Sequence, residues 1–136
     1  MEDSSRDNKR FQYERFILSQ LLVMALKGVP AFYLPALLAS ENDIKSFSMT
    51  GQRRDLNREK FKSDNLLAVL NNPESNANKN LKYLRNAMDV RSKLKQFHPS
   101  TQMKCLSKGR SDIVVIKRGK GPDSVFAIHN LSLIHI

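Results

Sequence analysis

The strongest constraint on the fold is an apolar stretch, residues 16–38, that Gly28 and Pro30 interrupt. Before the interruption, residues 8–27 carry apolar side chains at mixed spacings of three, four and five, a pattern typical of a buried helix. After it, residues 29–34 are apolar and partly aromatic, and Pro30 is tolerated only at the start or edge of a strand. A helix, a glycine and a short buried strand together predict an α/β fold with a parallel sheet.

The segment that follows, residues 40–63, shows neither helical nor strand periodicity over its 24 residues. It contains Gly51 and a basic run with Arg53, Arg54 and Arg58. A loop of this length without secondary structure is uncommon in a compact protein and is usually functional. We therefore predict a long functional loop here.

Two helices are predicted after this loop. Residues 64–70 read as a short helix that Asp64 can cap. Residues 76–97 read as a longer helix with one apolar face, and Ser75 or Asn76 can cap it.

The pattern changes after Pro99, where β-branched residues replace the helical spacing. Residues 113–116 and 125–128 read as two strands joined by a turn-rich connection, and residues 103–106 are a candidate third strand. The tail therefore predicts a small antiparallel β unit, which is marginally stable without a body to pack against.

The chain has 23 Lys and Arg residues against 13 Asp and Glu, a formal net charge of +10. Such a charge favours anionic partners. The basic residues are spread along the chain, whereas nucleic-acid binders usually gather them on one face. A solvated basic surface is the simplest interpretation, and a small basic nucleic-acid-binding module is the alternative from a different functional class.

Cysteine and histidine usage argues against metal sites and disulfides. Cys105 is the single cysteine, and His98, His129 and His135 lie far apart in the sequence. No secretory signal opens the chain, and its apolar stretch is interrupted too often for a membrane span. We predict a cytoplasmic protein without a metal, a cofactor, a membrane or a nucleic-acid partner.

The most specific chemistry lies in residues 53–58, where three guanidinium groups stand beside the Asp55 carboxylate and the Asn57 amide. Such directed donors suit sugar hydroxyls or phosphate. A surface salt-bridge cluster is the alternative interpretation of the same residues.

This run lies within GVPAFYLPALLASENDIKSFSMTGQRRDLNREKF, residues 28–61, which resembles the eighth barrel strand and following loop of sucrose phosphorylase and related sugar phosphorylases. These enzymes belong to the α-amylase superfamily of glycoside hydrolases. Residues 15–27 and 84–99 resemble, more weakly, the barrel helices on either side. The matching positions within residues 28–61 are Gly28-Val29-Pro30, Tyr33, Leu37-Leu38-Ala39, Asn42-Asp43, Thr50 and Arg54-Asp55-Leu56-Asn57-Arg58.

The resemblance implies the terminal part of a (β/α)8 TIM barrel followed by the start of a small C-terminal β domain. Residues 1–98 would be the C-terminal part of the barrel and residues 99–130 a partial β domain. Residues 131–136 resemble a translated sequencing adapter and are expected to be a scar. The chain is then a C-terminal fragment, inactive alone because the catalytic carboxylates come from earlier strands.

The resemblance further implies a retaining phosphorylase that transfers glucose from sucrose or a related α-glucoside to phosphate, giving α-glucose-1-phosphate. Glucosylglycerate phosphorylase, or another enzyme of the superfamily, is the alternative. Inorganic phosphate would be a co-substrate and no cofactor is implied. Arg54 would hold hydroxyls of the glucosyl unit, Asp55 would orient Arg54, and Arg58 would support the loop. The acceptor and the oligomeric state stay open.

Overall fold

The computed structural model describes residues 11–58, 60–107 and 109–132, and the chain divides into two compact units. Within the described residues, the first unit comprises residues 11–30 and 87–132, and the second comprises residues 31–86. The helices are α1 (Gln12–Ala25), α2 (Leu34–Leu37), α3 (Ile44–Thr50), α4 (Ser63–Asn71) and α5 (Asn76–Lys93). Short 3-10 helices span Arg53–Asn57, Lys95–Phe97 and Gly121–Asp123, and the strands are β1 (Met103–Cys105), β2 (Ile113–Arg118) and β3 (Val125–Asn130). The predicted domain boundaries at 98 and 130 stay a prediction.

Helix α1 of the first unit confirms the helix predicted over residues 8–27, of which residues 8–10 lie outside the described residues. Ile17, Met24 and Ala25 are buried, so the apolar face of the helix belongs to the core. The helix ends after Ala25 because the next residue is extended, and Gly28 then adopts a φ of 110°, which favours glycine.

Residues 29–34 form no strand, which corrects the buried strand predicted there. The backbone is irregular from Val29 to Tyr33, and helix α2 begins at Leu34. A buried parallel strand requires hydrogen-bonding neighbours at both edges. The strands in the described part of the chain pair only with one another, so residues 29–34 find no partner there. The terminal part of a TIM barrel stays a prediction.

The β unit predicted after Pro99 is confirmed as a three-stranded antiparallel sheet in the order β1-β2-β3. Strand β2 pairs with β1 through Met103 opposite Arg118, and with β3 through Arg118 opposite Val125. Ile116, in the central strand, is only 2% exposed and anchors the sheet in the core of the first unit.

Two arginines complete the C-terminal end of helix α1. Arg118 is fully buried and donates hydrogen bonds to the carbonyls of Ala25 (3.2 Å), Leu26 (2.6 Å) and His98 (2.9 Å). Arg91 donates to the carbonyls of Met24 and, at 2.8 Å, Gly28. The last carbonyls of a helix have no partner within it and carry a partial negative charge, which these guanidinium groups satisfy.

The ring of Phe97 supports both arginines, with the guanidinium carbons of Arg91 and Arg118 at 5.3 and 5.4 Å from its centroid. Burial lowers the pKa of both groups, and the charge of Arg91 lowers the pKa of Arg118 further. In the contacts described for Arg91 and Arg118, backbone carbonyls and an aromatic ring take the place of a carboxylate partner. These contacts stabilise the first unit.

In the second unit, helix α4 confirms the short helix predicted over residues 64–70, although Asp64 lies in its first turn and not at its cap. Helix α5 confirms the helix predicted over residues 76–97 as far as Lys93, after which Lys95–Phe97 forms a separate 3-10 helix. The Ser75 hydroxyl caps α5 by accepting from the backbone N–H of Asn78 at 3.1 Å.

Asn80 fixes helix α5 to helix α2 inside the second unit. Its side chain is fully buried and its Nδ2 donates to the carbonyls of Ala36 (2.9 Å) and Leu37 (2.8 Å). Leu84, one turn later, is also fully buried. Among the described helices, none is both long and apolar enough to cross a membrane.

Candidate functional site

The segment predicted as a structureless loop, residues 40–63, is folded, and that prediction is wrong. Helix α3 begins at Ile44, and Asp43 caps it through a carboxylate that accepts from the Ser46 N–H (2.9 Å) and the Ser46 hydroxyl (2.6 Å). The helix ends at Gly51, whose φ of 67° is left-handed and whose N–H donates to Phe47. A helix of seven residues is too short to show helical periodicity in the sequence. Its only sequence signals are the capping residues at its two ends, Asp43 and Gly51.

The 3-10 helix Arg53–Asn57 is tied to the start of α3. The Asp43 N–H donates to the Leu56 carbonyl at 2.7 Å, which closes the segment on itself. The two hydrogen bonds from Ser46 hold the pKa of the Asp43 carboxyl below its usual value, because they favour the charged form. The arginines of the run are thereby carried on a short, hydrogen-bonded scaffold.

The Asp55 carboxylate contacts Thr50. The Thr50 hydroxyl donates to Asp55 Oδ2 at 2.5 Å, and the same oxygen of Thr50 accepts from the Gln52 N–H at 3.2 Å. Within the described residues, no ion pair joins Asp55 to Arg54, and the orientation of Arg54 by Asp55 stays a prediction. Asp55 fastens the 3-10 helix to the end of α3.

Arg54, Asp55 and Arg58, the predicted substrate-binding residues, line one open cavity of about 380 Å³ in the second unit. Both arginines are exposed, and Asp55 is half-buried. The cavity is also lined by Ser46, Met49, Thr50 and Lys60. The sequence placed the three predicted residues together, and the fold adds one further cation and two hydroxyls.

Three of the lining residues had no predicted role: Ser46, Met49 and Lys60. Lys60 extends the basic run by two positions, which is the one signal that pointed to it. Ser46 and Met49 line the cavity because α3 packs beside the 3-10 helix. No residue pattern in the sequence predicts that contact.

The lining can make directed hydrogen bonds to oxygen-rich ligands. Two guanidinium groups and an ammonium group supply donors, and the Asp55 carboxylate and the two hydroxyls supply acceptors. Sugars present both kinds of group, and phosphate presents acceptors only. Within the part of the chain that the structure describes, no group of three or more His, Cys, Asp and Glu side chains is arranged to hold a metal ion.

Two reactive side chains belong to the first unit. Cys105 is exposed, and hydrogen bonds involving Ser107 hold the pKa of its thiol below its usual value. His129 is 6% exposed, and burial lowers its pKa. Neither residue belongs to the described cavity lining.

No protein-family model matches the chain. It is similar to three curated proteins named glucosylglycerate phosphorylase: 30% identical over 95% of the chain in Allomeiothermus silvanus, 27% over 88% in Spirochaeta thermophila and 31% over 62% in Escherichia coli K12. The chain spans 23%, 21% and 15% of the length of these relatives. The phosphorylase class that residues 28–61 predicted is therefore supported, and the names of these relatives specify glucosylglycerate and not sucrose. Over most of its own length, the chain is similar to curated glycoside phosphorylases.

Proposed function

We propose that this chain is the C-terminal part of a retaining phosphorylase that transfers glucose from glucosylglycerate to inorganic phosphate, releasing α-glucose-1-phosphate and glycerate. The observation that carries this proposal is the similarity to glucosylglycerate phosphorylases over 95% of the chain. It is supported by the cavity, in which the arginine run of the resemblance gathers donors for an oxygen-rich ligand. The protein of full length that the proposal requires is called the full-length enzyme below.

In this proposal Arg54 holds the glucosyl unit. Its guanidinium is exposed to the cavity, and a planar fork can donate to two neighbouring hydroxyl oxygens at once. Asp55 is a positioning residue, because its carboxylate is fastened to Thr50 and so fixes the turn that carries Arg54.

The reaction requires two further carboxyl groups. One carboxylate attacks the anomeric carbon while a carboxylic acid protonates the departing glycerate oxygen, which leaves a glucosyl ester on the enzyme. An oxygen of phosphate then attacks the anomeric carbon, displaces the enzyme carboxylate and gives up its proton to the conjugate base. Asp55 is the lone carboxylate in the described cavity lining, so this pair belongs to other parts of the full-length enzyme.

The test is release of α-glucose-1-phosphate by the full-length enzyme, with glucosylglycerate and sucrose compared as donors in the presence of phosphate. We expect the efficiency with glucosylglycerate to exceed that with sucrose, and the 136-residue chain alone to release none. A higher efficiency with sucrose than with glucosylglycerate would identify the full-length enzyme as a sucrose phosphorylase instead. Absence of product from both donors would reject the phosphorylase, and salt-dependent retention on DNA would then favour the nucleic-acid-binding alternative.

A further inference from the structure

We infer that Arg58 and Lys60 bind the oxyanion that enters or leaves during the reaction, which is phosphate in one direction and the carboxylate of glycerate in the other. This inference deepens the proposed function and rests on it. It assigns a ligand class to two cavity residues whose side chains do not serve the sugar in that proposal.

The charge balance of the cavity favours an anionic ligand. Its lining has three basic side chains, Arg54, Arg58 and Lys60, against the single carboxylate of Asp55. A concave surface with an excess of one charge concentrates ligands of the opposite sign. The lining therefore suits a ligand that carries negative charge.

Among the described residues, no carboxylate forms an ion pair with Arg54, Arg58 or Lys60, although the charge of Lys60, after the hydrogen bonds from Ser46, helps to lower the pKa of Asp43. Elsewhere in the described chain, ion pairs join Arg110 to Asp112 at 2.6 Å and Lys79 to Glu74 at 2.9 Å. No such pair includes Arg58 or Lys60.

The hydroxyl protons of the cavity lining are already donated to carboxylates of the protein. The Ser46 hydroxyl donates to Asp43, and the Thr50 hydroxyl donates to Asp55. The protons that a ligand can still receive come from the cations, and a ligand made only of acceptor oxygens matches them. Phosphate and carboxylate are such ligands.

The chemistry of the exchange also favours one anion site. In the proposed reaction one acid leaves the anomeric carbon and another takes its place, so both partners of the glucosyl unit are anions. The cavity volume of about 380 Å³ lies within the usual range of roughly 300–1,000 Å³ for small-molecule sites. One cationic pair beside the sugar-holding Arg54 can thus serve both anions in turn.

The test uses the full-length enzyme with Arg58→Gln and Lys60→Gln. Each variant should raise the KM for phosphate about tenfold while kcat changes little, and should raise the KM for glycerate similarly in the reverse direction. Lys60 also lines a second cavity of about 500 Å³, so Arg58→Gln is the sharper variant. Both side chains are exposed, and we expect the thermal midpoint to stay unchanged.

Matched controls are Arg85→Gln and Lys82→Gln, which remove the same charges from exposed positions of α5 that do not line the cavity. Their KM values should stay within about twofold of the starting protein. A rise for phosphate alone, or for glycerate alone, supports the oxyanion site and assigns it to that anion. Unchanged KM values in both directions, or equal rises in the controls, would overturn the inference.

Calorimetric titration of the full-length enzyme with inorganic phosphate, without any sugar, separates this inference from the proposed function. Phosphate binding that Arg58→Gln weakens, in a protein that releases no α-glucose-1-phosphate, would keep the oxyanion site and reject the phosphorylase. Phosphorolysis with a phosphate affinity that Arg58→Gln leaves unchanged would keep the phosphorylase and reject the oxyanion site.

Discussion

The two units use arginine in opposite ways. In the first unit, Arg118 is fully buried, and its two terminal nitrogens donate to backbone carbonyls, two of them at the end of helix α1. In the second unit, Arg54 and Arg58 are exposed, line a cavity and make no ion pair with the described residues. The guanidinium group stabilises the fold where it is bonded to backbone carbonyls. Where it lines a cavity without an ion pair to the described residues, it can bind a ligand.

The largest expected effect is on stability, from Arg118→Ala. This change removes three hydrogen bonds to carbonyls and leaves a buried space, so we expect the unfolding free energy to fall by about 3 kcal/mol or more. Thermal unfolding of the full-length enzyme measures it, with the exposed Arg85→Ala as the matched control. A thermal midpoint equal to that of the control would show that the buried arginine is dispensable.

The second effect is on catalysis, from Arg54→Lys. A lysine keeps the charge but lacks the planar fork that reaches two hydroxyl oxygens, so we expect the efficiency to fall about tenfold with little change in stability. Steady-state kinetics with glucosylglycerate and phosphate provide the measurement. Full activity of the lysine variant would mean that Arg54 contributes charge alone.

A smaller effect is expected from Thr50→Val, which removes the hydroxyl that holds Asp55. The contact is to a half-buried carboxylate and acts on the substrate only through the turn that carries Arg54, so we expect a loss of roughly two- to tenfold in efficiency. Thr50→Ser keeps the hydroxyl and should recover most of the lost activity. Equal activity of the valine and serine variants would exclude a positioning role for this contact.

The smallest effect concerns acid pH at the start of helix α3. The pKa of Asp43 is lowered in the folded chain, so its contribution is present above the unfolded-state pKa and is lost as the pH falls through the lower folded-state pKa. The amide signal of Ser46 in an NMR pH titration should therefore shift with a midpoint below the usual value for Asp. Asp43→Asn should abolish this transition, and a midpoint at or above the usual value would contradict the cap.

The elements with a long, regular pattern were predictable from the sequence. Helices α1 and α5 and strands β2 and β3 follow apolar periodicity or β-branched runs, and Ser75 caps α5 as predicted. Residues 29–34 were not predictable in this way, because a short apolar run becomes a strand only where another strand completes its hydrogen bonds.

The buried arginines and part of the cavity depend on contacts that the local sequence does not encode. Arginine is usually a surface residue, so nothing in the sequence marks Arg118 as buried. Its partners Ala25 and Leu26 lie more than ninety positions earlier in the chain. The resemblance identified Arg54 and Arg58 because both belong to one short run. Lys60 follows that run two positions later, whereas Ser46 joins these residues only through the folding of the segment.

The central claim is that Arg54 contacts the substrate, and it is tested most directly by comparing Arg54→Ala with Arg53→Ala in the full-length enzyme. The two arginines are adjacent and exposed, but only Arg54 lines the described cavity. The measured quantity is kcat/KM for α-glucose-1-phosphate release from glucosylglycerate. We predict a loss of about ten- to a hundredfold for Arg54→Ala and less than twofold for Arg53→Ala. An Arg54→Ala enzyme within twofold of the starting activity, with Arg53→Ala or Arg58→Ala inactive, would contradict the account.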